Sequence, residues 1–165
     1  MTAATTALLI VTCIAAATDL RTRRIPNALT GAAALAALCI HLPAGPPAIL
    51  MTLAAMTAAF LAGSLAFSAG WFGGGDVKLI AAACGLVGAS GALSLVVWIL
   101  LAGAVLAVAT AAAQRRLLFL VRSTAAVAAR GHAFERSALP YGVAIAGGSI
   151  AYAVSTLVPA LRLPV

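Results

Sequence analysis

Acidic side chains are so rare in this sequence that each one is a candidate for chemistry. The chain of 165 residues holds three of them, Asp19, Asp76 and Glu135. Asp19 opens the segment Asp-Leu-Arg-Thr-Arg-Arg-Ile-Pro-Asn, and Asp76 follows three glycines in Gly-Gly-Gly-Asp-Val-Lys-Leu. Glu135 stands among basic residues, which is typical of a solvated ion pair. The two aspartates therefore remain as the acids whose surroundings indicate a site.

Two close carboxylates in a poorly solvated site suit the hydrolysis of a peptide bond. One carboxylate accepts a proton from water, while the other, protonated, donates to the scissile carbonyl or the leaving amine. Like charges at short range cannot both ionise easily, so such a pair shares a proton. A helix start and the nearby Lys78 favour ionisation of Asp76, but three arginines just after Asp19 act on that residue in the same sense. The assignment of base and acid therefore stays open.

Local sequence predicts how the chain enters the helices beside these acids. Gly73, Gly74 and Gly75 leave no side chains in the way of a peptide, and glycine backbone can approach a ligand closely. We expect the three glycines to precede the helix that starts near Asp76. Asn27, which follows a proline, is expected to cap the second helix.

The composition excludes a soluble protein. Hydrophobic residues make up 64% of the chain, charged residues 8%, and the mean hydropathy is +1.16. Soluble domains average about 25% charged residues, so this chain cannot cover itself with a polar surface. We predict an all-α polytopic membrane protein that forms a single domain over residues 1–165. The net charge of +7 indicates contact with membrane lipids rather than nucleic acid, because the basic residues cluster between apolar runs.

Six apolar segments are predicted to be transmembrane helices. They are residues 2–18, 28–42, 47–69, 77–89, 91–113 and 138–160. The third, fifth and sixth have the length of about 20 residues that a bilayer requires. The other three are shorter, and the alternative is that one short pair is re-entrant. The first segment is expected to be retained, because no Lys or Arg precedes its apolar run as in a secretory signal.

The basic residues predict the orientation. Nine of the ten lie after the first, third and fifth segments, namely Arg21, Arg23, Arg24, Lys78, Arg115, Arg116, Arg122, Arg130 and Arg136. These positions belong to alternate loops, so the positive-inside rule places them in the cytoplasm and both termini on the opposite side. Asp19 and Asp76 then lie at the cytoplasmic ends of the first and fourth segments, at the same depth.

At these residues the sequence resembles the type IV prepilin peptidase family, which are aspartic proteases of the GxGD type. The resemblance rests on three elements in the family's order, spread over nearly the whole chain. The first is Asp19 with the Ile-Pro-Asn that follows it, the second surrounds Asp76, and the third is similar to the segment that opens the family's last span. Their residues are Asp19, Ile25, Pro26, Asn27, Gly73, Gly75, Asp76, Lys78, Leu79, Pro140, Tyr141 and Gly142.

The resemblance implies an endopeptidase that removes short basic leaders from type IV prepilins and pseudopilins at the cytoplasmic membrane face. It implies that Asp19 and Asp76 form the catalytic pair. It further implies a set of substrate-binding or site-shaping residues, which are Pro26, Asn27, Gly73, Gly74, Gly75, Lys78, Pro140, Tyr141 and Gly142.

The resemblance also indicates which form of the peptidase family the chain is similar to. Long members of the family carry an N-terminal insertion with paired CxxC motifs, and this sequence has no such zinc-binding insertion. The chain resembles the short form that serves Flp, or tight-adherence, pili, so we predict peptidase activity without methyl transfer and a link to pilus assembly machinery. We predict no cofactor and no metal, since His41 and His132 are expected on opposite sides of the membrane.

Three other functions fit parts of the sequence. A small proton-coupled transporter would show mid-span charges and an internal repeat, and neither is apparent. Proteases that resemble presenilin pair GxGD with a Tyr-Asp on the preceding span, whereas Asp19 follows Thr18 three spans earlier. A catalytically inactive subunit of a pilus or secretion assembly would not need both aspartates.

Overall fold

The computed structural model describes residues 2–113 and 141–161, which form six α-helices and no strand. In chain order the helices are α1 (Ala3–Thr22), α2 (Asn27–His41), α3 (Pro46–Ser68), α4 (Gly74–Val87), α5 (Ala89–Ala113) and α6 (Tyr141–Leu157). Short 3₁₀ turns, Leu42–Ala44 and Pro159–Leu161, follow α2 and α6. The predicted all-α class is confirmed.

Length and composition identify the membrane-crossing candidates. Four stretches are long and apolar enough to span a bilayer, namely Ala3–Thr22, Asn27–Ala44, Pro46–Ser68 and Ala89–Thr110, and α6 is a shorter apolar helix. Large apolar side chains cover the outside of the bundle, with Leu65 73% and Val105 70% exposed. Such a surface is unfavourable in water and favourable in lipid. The protein is therefore a polytopic membrane protein.

Each of the six predicted segments contains a helix, but several boundaries differ. α1 continues to Thr22, so Asp19 lies in its last turn rather than beyond it. The helix ends at Arg23, which adopts a left-handed conformation (φ 54°) and donates its N–H to the carbonyl of Asp19 at 2.9 Å. Asn27 was expected as the cap of α2, and this is wrong. Pro26 holds the cap position, and Asn27 is the first helical residue.

The glycines before and after α4 also differ from expectation. Because α4 begins at Gly74, only Gly73 precedes the helix, and the other two glycines form part of its first turn. At the opposite end Gly88 alone separates α4 from α5, with a φ of 75° that favours glycine. The ring of His41, the last residue of α2, lies 3.2 Å from the carbonyl oxygen of Leu86 in α4. These contacts join α2, α4 and α5 at the end of the bundle away from Asp76.

α4 is the most enclosed helix among the described residues. Nine of its 14 residues are buried, and it packs against α1, α2, α3 and α5. α6 lies against α1 and α5 and completes the bundle. Small residues allow these close approaches, since a Cβ on Gly148 of α6 would collide with the backbone of Ile99 in α5. Close packing through small residues is how helices associate where lipid removes the hydrophobic driving force.

Candidate active site

Asp19 is held between α1 and α6. Its side chain is only 8% exposed, and its Oδ2 accepts a hydrogen bond from the backbone N–H of Gly142 at 2.9 Å. Gly142 is the second residue of α6, where backbone N–H groups have no partner within the helix and the helix dipole favours an anion. A Cβ at this glycine would lie 2.9 Å from the Cβ of Asp19. Only glycine therefore lets α6 approach this carboxylate so closely.

Asp76 lies in the first turn of α4. Its Oδ2 accepts a hydrogen bond from the N–H of Gly73 at 3.0 Å, as an acid in the first turn of a helix commonly does. Burial raises the pKa of Asp76 to about 6, the Gly73 bond opposes this shift, and the negative charge of Asp19 adds to it. The helix start and Lys78 predicted the opposite direction. Desolvation of the carboxylate is the largest cause and outweighs the Gly73 hydrogen bond.

The structure brings the two aspartates to one end of the bundle. They come from α1 and α4, which are in contact, and the charge of Asp19 acts on Asp76 through the intervening space. An interaction of this kind between two carboxylates raises the free energy of the doubly ionised state. The raised pKa of Asp76 means that this carboxyl keeps its proton to a higher pH than an exposed aspartate does, which suits general acid–base chemistry.

The turn between α1 and α2 crosses the start of α4. Lys78 does not extend toward Asp76, because its Nζ donates a hydrogen bond to the Oδ1 of Asn27 at 2.9 Å. Ile25 packs over Gly75, where a Cβ would lie only 3.2 Å from the Cβ of Ile25. Ile25 belongs to the Ile-Pro-Asn motif, and its contact with a glycine beside Asp76 gives that motif a packing role.

Aromatic rings lie close to the start of α4. The rings of Phe72 and Tyr141 meet edge to face, with centroids 4.8 Å apart and planes at 89°. Phe67, at the end of α3, places its Cε2 3.8 Å from where a Cβ of Gly74 would be. Sequence reasoning missed both phenylalanines. The available signal was their place in the sequence: Phe72 directly precedes the three glycines, and Phe67 stands six residues before them.

Nearly all predicted site residues therefore meet at this end of the bundle. Gly73, Gly74, Gly75 and Lys78 surround the start of α4, Pro26 and Asn27 belong to the crossing turn, and Tyr141 and Gly142 open α6. Pro140 and Glu135 lie outside the described residues, as does His132. Within residues 2–113 and 141–161, no group of three or more His, Cys, Asp or Glu side chains is arranged to hold a metal ion.

Fold and site together define a class, which is a polytopic helical membrane protein with two interacting carboxylates at one end of its bundle. More specifically, the chain belongs to the type IV leader peptidase family (Peptidase_A24), whose model matches residues 6–108. The match includes both aspartates and the Lys78 segment, and it ends before α6. No curated protein and no solved structure matches the chain. The family resemblance seen in the sequence is confirmed.

Proposed function

We propose that this protein is a membrane aspartic endopeptidase that removes the leader peptide from type IV prepilins of the Flp kind. Membership of the type IV leader peptidase family supports this activity and favours it over a transporter or an inactive subunit. The observation that carries the proposal is the convergence of Asp19 and Asp76, which interact at one end of the bundle. These two residues are the proposed catalytic pair.

The proposed reaction uses water and one shared proton. The ionised carboxylate takes a proton from water as the oxygen attacks the scissile carbonyl, and the protonated carboxylate donates its proton to the carbonyl oxygen. Collapse of the tetrahedral intermediate breaks the C–N bond, and the amine leaves with a proton from the pair. The raised pKa of Asp76 favours Asp76 as the proton holder at the start of the cycle.

The surroundings of the pair suit an extended peptide. Gly73 and Gly74 are exposed beside Asp76, so a substrate backbone can pass close to the carboxylate without meeting side chains. The ring pair of Phe72 and Tyr141 offers an apolar surface next to the scissile bond. The proposed roles of Asn27, Lys78 and Gly142 are to hold the two aspartates in place.

The orientation of the site is part of the proposal. Eight of the ten basic residues follow the first, third and fifth apolar segments, and Lys78 stands at the start of the fourth, beside the end of the third. This bias supports a cytoplasmic site by the positive-inside rule. We further propose that the four long apolar helices cross the membrane around the shorter, enclosed α4, that the protein acts without methyl transfer, and that pilus assembly machinery receives its product.

Co-expression with an Flp-type prepilin tests the activity. Asp19→Asn and Asp76→Asn each remove one carboxylate with little change in volume, and we expect each to abolish leader removal, followed as a mobility shift on a gel. Glu135→Gln is the matched control, because it makes the same acid-to-amide change at the only other acid of the sequence. Membrane insertion of all variants is checked by fractionation. Leader removal by either aspartate variant would contradict the mechanism.

A further inference from the structure

The only lysine of the chain is hydrogen-bonded to its only asparagine across the candidate site. Lys78 and Asn27 lie 51 positions apart, and the Nζ–Oδ1 distance is 2.9 Å. We propose that they form a positioning pair, which holds the turn between α1 and α2 against the start of α4 and thereby sets the geometry of Asp19 and Asp76. This inference rests on the proposed peptidase function.

The turn between α1 and α2 is short and internally bonded. On the α1 side, the N–H of Arg23 donates to the carbonyl of Asp19 at 2.9 Å. On the α2 side, the N–H groups of Leu29 and Thr30 donate to the carbonyl of Pro26 at 3.1 and 3.3 Å. Both ends of the turn are therefore fixed to their helices. A displacement at Asn27 would be passed along the turn to Asp19.

On α4, two contacts with this turn stand on either side of Asp76 in the sequence. Gly75 receives Ile25, with 3.2 Å between the Cβ of Ile25 and an added Cβ, and Lys78 binds Asn27. The body of α4 is fixed by its packing against the other helices. The two contacts, one apolar and one polar, add a direct link between its first turn and the turn between α1 and α2, next to the Asp76 carboxylate.

A direct electrostatic role for Lys78 fits the geometry less well. Residues two apart on a helix do not face each other, and the Lys78 ammonium is already engaged by the Asn27 side chain. The pKa of Asp76 is raised despite the nearby cation. If Lys78 acted only through its charge, Asn27 would be irrelevant to the reaction rate. If the pair acts by position, losing either partner has the same effect.

Kinetics of the purified full-length protein in lipid nanodiscs, with an Flp-type prepilin as substrate, separate these roles. Asn27→Leu, Lys78→Met and the double variant break the hydrogen bond, whereas Asn27→Asp and Lys78→Arg keep an acceptor and a cationic donor. We expect each breaking variant to lower kcat about tenfold with little change in KM, because a small misplacement of reacting groups is costly. The double variant should be no slower than either single one, and the conservative variants should recover most of the rate.

Arg115→Met is the matched control, since it removes one cation that the charge bias places on the same side of the membrane but far from both aspartates in the sequence. We expect it to process prepilin at the wild-type rate. An equal loss in Arg115→Met would mean a general charge effect and would overturn the proposal. A wild-type rate in Asn27→Leu, or multiplied losses in the double variant, would also overturn it.

Amide hydrogen exchange measures the coupling between the turn and α4 without any need for peptidase activity. In the same nanodiscs, loss of either partner should speed amide exchange in both segments, residues 20–30 and 72–80, while Arg115→Met should leave both segments unchanged. Unchanged exchange in Asn27→Leu and Lys78→Met would overturn the pair. If the wild-type protein processes no prepilin, the proposed function fails, and the exchange measurement still decides whether the pair couples the two segments.

Discussion

The neighbouring helices α3 and α4 pack against each other but have opposite surroundings. α3 has 23 residues, of which only Thr52 is buried, and it presents large side chains such as Leu65 to the outside. α4 has 14 residues, of which nine are buried, many of them alanine, cysteine or glycine. α3 is thus adapted to lipid and α4 to protein neighbours.

This contrast explains where the unusual carboxylate lies. A helix that faces lipid needs length to cross the apolar layer, and its neighbours impose little on its side chains. A helix surrounded by protein can be short, because other helices cover its ends. Only there can surrounding groups control the hydration and hydrogen bonding of an acid. Asp76 lies in the first turn of α4. From the adjacent end of α3, Phe67 contacts this turn at Gly74.

The largest expected effect is on packing. Ala83 on α4 is fully buried, so Ala83→Leu should overpack the bundle at a cost of about 1–3 kcal/mol. Ala62→Leu makes the same change on α3, where the side chain is exposed and would enter lipid. We expect a clear drop in the thermal midpoint of the detergent-solubilised protein for Ala83→Leu and almost none for Ala62→Leu. Equal drops would contradict the contrast between the helices.

A smaller loss, in activity, is expected when one methyl group is added at Gly75, beside the crossing turn. In Gly75→Ala the new Cβ would lie 3.2 Å from the Cβ of Ile25, so the crossing turn must move, whereas Gly31→Ala on α2 meets nothing within 4 Å. Both changes improve helix propensity similarly. We expect Gly75→Ala to slow prepilin processing about fivefold to tenfold and Gly31→Ala to leave it unchanged. Normal processing by Gly75→Ala would show that the turn tolerates displacement.

The smallest expected effect is the stability cost of the enclosed carboxylate. Because the pKa of Asp76 is raised from 3.8 to about 6, the folded state binds this proton more tightly than the unfolded state. Stability is therefore lost as the pH rises from about 4 to about 6, and the cost persists above that. We expect Asp76→Asn to raise the thermal midpoint by a few degrees at pH 8 and to leave it unchanged at pH 4.

Ser64→Ala is the control for this titration. The Ser64 hydroxyl on the surface of α3 donates only within its own helix, to the carbonyl of Phe60 at 2.7 Å, and it does not ionise near neutral pH. Its effect on the thermal midpoint should be the same at pH 4 and pH 8. A stabilisation by Asp76→Asn that is independent of pH would mean that a cause other than desolvation of the carboxylate is at work.

The sequence predicts the six helices but only part of how they pack against one another. Apolar runs predicted all six helices, because hydropathy reports the removal of side chains from water. Hydropathy does not distinguish a side chain that faces lipid from one that faces protein. The sequence pattern therefore does not predict that α4 is the enclosed helix. The pairing of Asp19 with Asp76 was predicted from motifs and charge bias, whereas the bond between Asn27 and Lys78 depends on tertiary geometry that no local pattern encodes.

Because Gly88 alone separates α4 from α5, the positions of residues along the two helices can be compared from this common point. α4 and α5 start from this common point and run 14 and 25 residues, or about 21 Å and about 37 Å along their axes. Asp76 is 12 residues from Gly88, or about 18 Å, which is about the level of Leu100 and well short of the distal end of α5. α5 therefore extends past the level of Asp76 by about 13 residues. In the proposed reaction, a leader peptide would have to pass this extension of α5 in an extended form to reach the carboxylate.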